Sequence, residues 1–257
     1  MARAFLSGAG PDVFLLNRNP IPPPMHLTTE MLSPSMIAAT SVVGAGAFAL
    51  AASRVRREVD RNQLPTVLAL GGLVWVAQAV NLPMVAGFSG HLVGAALLTL
   101  LIGPWTAMVA LGGILAGQAI LLGDGSLPAL GANFLTMGVA ASAAAWAVAR
   151  AARNWPTPLR TGVAAYGSIL GATLVLSACL GGVALVPLLA SHAVIGLLEA
   201  GLTTALVLWI SSPSRPAAGW QAPWIRAAAA LLLFAALLPL SSSLPDGLHY
   251  SWELLNR

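Results

Sequence analysis

Lysine is missing from this chain altogether, cysteine occurs once, and eight acidic residues stand against twelve arginines. Without lysine there is no Gly-rich phosphate loop of the G-x-x-x-x-G-K-[ST] kind, so any ATP hydrolysis must be supplied by another chain. Cys179, alone inside an apolar run, cannot close an intramolecular disulfide and reads as a small packing residue that says nothing about compartment. No stripe of arginine interleaved with aromatics is present, which removes nucleic acid from the partners. The scarcity of charge excludes most: 8% charged residues against 58% hydrophobic, with a mean hydropathy of +0.84, leave too little polar surface to cover a soluble globule.

The apolar residues fall instead in runs long enough to cross a hydrocarbon core of about 30 Å, which takes about 20 helical residues, and they lack the alternation of barrel strands. The chain therefore reads as an all-α polytopic membrane protein, with about seven transmembrane helices in a core plus one C-terminal helix. Hydropathy and Pro, Gly and Arg breaks place the spans near 36–53, 64–80, 89–102, 104–122, 129–150, 161–186, 189–210 and 223–240. The third is short, roughly 20 Å by helical rise, and Gly103-Pro104 divides it from the fourth, so it is expected to enter the membrane from a sunken loop.

Arginines gather at alternate gaps: Arg54, Arg56, Arg57 and Arg61, then Arg150, Arg153 and Arg160, then Arg215 and Arg226. The positive-inside rule makes these gaps cytoplasmic, and eight helices then put both termini outside, with the loops Asn81 to Gly90 and Gly123 to Ser126. The net charge of +4 and pI near 10.6 reflect those flanks.

Two of the four histidines stand in small islands, Met25-His26 and Ser89-Gly90-His91. A Met-His pair at a free amino terminus is a chelator: the amine, the deprotonated His amide nitrogen and the imidazole close adjacent rings on one ion. Square-planar nitrogen suits Ni2+ or Cu2+, and imidazole also suits cobalt. His91, on the same outer side, supplies a fourth nitrogen. An interfacial histidine that caps a helix or bonds to backbone has the same spacing, which by itself does not decide.

Four blocks carry a resemblance: MHLTTEMLSP at 25–34, AQAVNLPMVAGFSGHLVGAALLTLLIGPW at 77–105, GDGSLPALGANFLTMG at 123–138, and His192 to Glu199 in an H-x-x-I-G-x-x-E pattern. Together they resemble the CbiM/NikM family, the substrate-capture components of cobalt or nickel energy-coupling-factor ABC transporters. The resemblance implies uptake of Co2+ or Ni2+, with Met25, His26 and His91 as metal ligands and no resident cofactor. It also implies partner ATPase subunits, a transmembrane coupling subunit, a bacterial inner membrane, and supply of cobalamin synthesis or of a nickel enzyme. A membrane domain is expected over 25–211. A second match, Ser243-Leu244-Pro245-Asp246-Gly247-Leu248, resembles the PDGLE segment of that family's accessory subunit, giving a fused helix and tail over 212–257. The family's Glu is His249 here, and the second Asn of G-A-N-x-x-N-M-G is Thr136. The chelate needs a free amine, so Met25 is expected to be the true or processed start. The Pro-rich stretch 1–24 is expected to be unstructured or absent from the mature protein.

His192 and Glu199, seven apart on one helical face, suit a pathway or support role, or a polar clamp between helices. Asp124 and Asn133 suit support of the metal, though Asp124 in Gly123-Asp124-Gly125 is also a turn former. Ser41, Ala45, Ala49 and Ser53 make a smooth strip on the first helix. From another class, Gly87-Phe88-Ser89-Gly90 with His192 would suit an intramembrane serine protease.

Overall fold

A computed structural model describes residues 25–58, 60–84, 88–182, 185–212 and 223–255. The stretch 1–24 and most of the junction at 212–222 lie outside them. The described chain runs α1 (Pro34–Glu58), α2 (Leu64–Gln78), β1 (Leu82–Pro83), β2 (Ser89–Gly90), α3 (Ala95–Ile102), α4 (Pro104–Leu121), α5 (Leu130–Asn133), a π-helical stretch (Phe134–Ala140), α6 (Ala141–Ala151), α7 (Thr157–Cys179), α8 (Leu185–Ile210), α9 (Pro223–Leu237) and α10 (Gly247–Leu255).

The helices start where the sequence instructs them to. Ser33 caps α1, its hydroxyl accepting the Met36 N–H at 3.2 Å, and Pro34 and Pro104 open α1 and α4 where a missing N–H costs nothing. Arg56 and Arg57 close α1 at its negative dipole end. Among the described residues, six segments are long and apolar enough to cross a membrane: Pro34–Arg57, Pro104–Leu121, Leu130–Ala151, Thr157–Cys179, Leu185–Ile210 and Pro223–Leu240.

Two of the eight expected spans therefore fall short. α2 has 15 residues, and the span expected at 89–102 is helical only from Ala95. Gly94 explains the second: its φ of +76° is left-handed, and a Cβ there would meet Val74 at 2.6 Å, so no helix passes through it. Residues 89–90 instead pair antiparallel with 82–83, Leu82 opposite Gly90 and Pro83 opposite Ser89. Likewise α7 stops at Cys179 rather than near 186, because Gly181 and Gly182 turn left-handed. α10 answers to no expected element.

The main core gathers Leu70, Leu73, Leu97, Leu98 and Leu111 between α2, α3 and α4. α7 lies along α8, α6 along α7, and α9 against α2. The closest approach of α1 uses one end of the expected strip: the backbone of Ser41 backs onto Gly131, where a Cβ would lie 2.7 Å from the Ser41 Cα, while Ala45, Ala49 and Ser53 are exposed. It runs through Gly44 and Gly131, where a Cβ on Gly131 would fall 2.5 Å from the Thr40 carbonyl. A second cluster, with Leu27, Leu32, Cys179, Leu188 and Leu248, closes the end of the bundle at which the site forms.

Candidate metal centre

Two side chains hold the segment Met25-His26-Leu27. Asn133 brackets Leu27, its Oδ1 accepting the Leu27 N–H at 2.9 Å and its Nδ2 donating to the Leu27 carbonyl at 3.0 Å. Asp124 takes the Met25 N–H on Oδ1 at 2.7 Å and brings Oδ2 to 3.2 Å from His26 Nδ1. Left-handed Gly123 and Gly125 aim that carboxylate. Burial alone would raise the pKa of Asp124, but His26 and the Met25 N–H outweigh it and hold the group below the ordinary carboxylate range.

The opposite wall is the extended run 91–94. Glu199, fully buried on α8, accepts the Val93 N–H at 2.8 Å on one oxygen and the Gly94 N–H at 3.0 Å on the other. Gln78 Nε2 donates to the Val93 carbonyl at 2.9 Å, and Gln118 Nε2 donates to Gln78 Oε1 at the same distance. Three helices thus fix the backbone that carries His91.

These walls bring His26 and His91 face to edge, ring centroids 6.2 Å apart, at 3% and 8% exposure. Among the described residues His26 Nε2 and His91 Nδ1 meet no hydrogen-bond partner, and His26 Nδ1 has only the off-line approach of Asp124 at 3.2 Å. A buried polar atom left unpartnered costs about 1–3 kcal/mol, so these ring nitrogens gathered in one place make the pair a candidate ligand site. They open on a cavity of about 60 Å³, also lined by Met25, Asn133, His192 and Asp246. That volume suits an ion with a water or two rather than an organic substrate.

All seven residues singled out from sequence converge here. Met25, His26, His91, Asn133 and His192 line the cavity; Asp124 and Glu199 stand behind it as braces. His192 Nδ1 is 2.9 Å from the Leu188 carbonyl, which leaves Nε2 with a lone pair. Among the described residues no three His, Cys, Asp or Glu side chains cluster as a ready-made metal cage. The Ser89 and His192 hydrogen bonds go elsewhere, Ser89 Oγ to the Leu244 carbonyl at 2.8 Å, and nothing supports the protease pairing. Asp246 is the ionisable residue of the lining that spacing did not single out. Its only advance signal is its place in the Pro-Asp-Gly segment, far along the chain from both histidines.

His91 lies outside all six spans, and its imidazole is held down to about 4. Burial is the main cause; His26 and His192 add to it, while Asp246 and Asp124 oppose it. The folded pKa is depressed, so the unfolded chain takes up a proton near 6.5 that the folded chain refuses until about 4. Stability is therefore expected to fall as pH drops through that window, by about 2 kcal/mol between pH 7 and 5. Thermal melting of the metal-free protein in detergent checks this, and His91→Gln should flatten the slope.

Fold and site together define a polytopic helical membrane protein whose polar residues converge on one cation-sized chamber at one end of the bundle. The profile of the family described as "Cobalt uptake substrate-specific transmembrane region", CbiM, matches residues 26–218, and the chain belongs to that family. It is 34% identical over 172 residues, 66% of its length, to a protein of Lactiplantibacillus plantarum named "Probable fused nickel transport protein LarMN". It is 35% identical over 138 residues, 52% of its length, to the cobalt transport protein CbiM of Streptomyces coelicolor. The matches cover 52% and 59% of those relatives, so the chain spans little more than half of either. A crystal structure described as a transition metal transporter superposes with a TM-score of 0.64 at 27% identity, covering 72% of this chain and 92% of that one.

Proposed function

We propose that this chain is the membrane subunit that captures Ni2+ or Co2+ for an energy-coupling-factor transporter. The observation that carries the reading is the buried His26–His91 pair with its unpartnered ring nitrogens, next to the Met25 nitrogen. The donor set is the Met25 amine, the His26 amide nitrogen and imidazole, and His91; Asp124 and Asn133 hold the first arm, and Glu199 holds the second. The family profile and the nickel and cobalt transport relatives support the same cargo.

The arginine clusters face the cytoplasm of the bacterial inner membrane, and the chamber opens outside. Separate ATPase subunits and a transmembrane coupling subunit supply the energy, and the ion feeds cobalamin synthesis or a nickel enzyme. Residues 25–211 form the capture domain, and 212–257 contribute a fused accessory helix and tail.

The chelate requires Met25 to carry a free amine. In this chain its nitrogen is a peptide N–H that donates to Asp124. Protein beginning at Met25 is expected to bind Ni2+ and Co2+ at least about tenfold more tightly than protein that retains the preceding residues, a difference of about 1.4 kcal/mol or more. Calorimetric titration of both forms, with the amino terminus verified by sequencing, makes the measurement. Equal affinity defeats the chelate, and no binding to either form defeats the reading.

A further inference from the structure

The C-terminal segment is part of the chamber and not a separate appendage. Ser89, two residues before His91, donates its N–H to the Pro245 carbonyl at 2.8 Å and its hydroxyl to the Leu244 carbonyl at 2.8 Å, and it bridges Asp246 in parallel. The Ser242 N–H reaches the Asn81 carbonyl at 2.7 Å, so the tail lies against the hairpin from both ends. Behind the turn, the Ser251 and Ser191 hydroxyls lie 3.1 Å apart, and a Cβ on Gly247 would meet Ile195 at 2.7 Å. These contacts leave Asp246 5% exposed and lining the cavity with both histidines. Its charge is felt by His91 and His192.

Resting on the metal-capture reading, we propose that Asp246 is a further residue of the cation site: its carboxylate supplies negative charge to a divalent ion otherwise surrounded largely by nitrogen donors. In a chamber poor in water a divalent cation interacts far more strongly with a fixed carboxylate than it would in solution. Asp124 provides such a charge beside His26; Asp246 provides one from the wall that carries His91. The rival role is structural, because Asp246 Oδ1 also accepts the His249 N–H at 2.9 Å and caps α10.

Asp246→Asn separates the two roles, since asparagine caps a helix as well as aspartate but carries no charge. Asp246→Ser, a second uncharged capping residue, repeats the test with a different shape. The control is Asp60→Asn, which removes one charge beyond the far end of α1, a helix about 37 Å long by its rise. Affinity for Ni2+ and Co2+ is measured by competition with a metallochromic chelator, on the form of the chain that binds in the titration above, alongside melting of the metal-free protein.

The expected result is a 10- to 100-fold loss of affinity (a rough range) for both Asp246 variants, metal-free melting near that of the parent, and no change for Asp60→Asn. Parent affinity in both Asp246 variants overturns the proposal, as does an equal loss in Asp60→Asn. No binding by the unsubstituted protein overturns the metal reading and this proposal together.

Discussion

His91→Ala is expected to weaken Ni2+ and Co2+ capture by at least about 100-fold, 2.7 kcal/mol or more, while leaving the protein folded. The histidine sits on a run of backbone tied down by Glu199 and Gln78, so truncating the ring leaves those hydrogen bonds in place. What disappears is the nitrogen donor from one wall of the cavity. His26→Ala should have an effect of the same size for a different reason, because it removes the ring of the chelate on the other wall, whose segment stays bracketed by Asn133. Melting with and without Ni2+ gives an independent readout, since a bound ion stabilises by mass action and that shift should vanish in both variants. Retention of the shift in His91→Ala would remove His91 from the donor set.

Glu199→Ala should damage capture without touching the ion. Each carboxylate oxygen takes one backbone N–H, and removing both orphans two buried donors at about 1–3 kcal/mol each. The run 91–94 then loses its register and His91 its aim. We expect affinity to fall about 10- to 100-fold, the range found when groups that orient metal ligands are removed, together with a lower melting temperature of the metal-free protein. Glu199→Gln keeps one acceptor oxygen and should lie between parent and alanine in both measurements. A loss of affinity at unchanged melting would instead give Glu199 a direct role toward the ion.

The helical class and the two histidine islands were legible in the sequence because both are local signals: length of apolar run in one case, residue identity within a block in the other. The failure at 89–102 has a specific cause. Hydropathy reads Leu92 and Val93 as helix, and only the left-handed backbone at Gly94, packed against Val74, makes that run extended. Glu199 and His192 were placed on one helical face by their spacing, but that Glu199 grips the Val93 and Gly94 amides depends on a pairing across 106 and 105 residues. Asp246 was harder still. Its position follows from the tail bonding Ser89 across 155 residues, and no periodicity reaches that far.

The π-helical stretch Phe134–Ala140 interrupts the helical phase in the middle of a membrane crossing. A regular helix advances about 100° per residue, so one extra residue lodged in a wide turn swings everything beyond it by about that angle. Asn133, Thr136 and Met137 face the cavity, whereas Ala141 and Ala145 farther on are buried in neighbouring packing clusters. At four-residue spacing a regular helix drifts about 40° per step, and the wide turn takes that drift back, keeping Ala141 and Ala145 on the inward stripe that Asn133 begins.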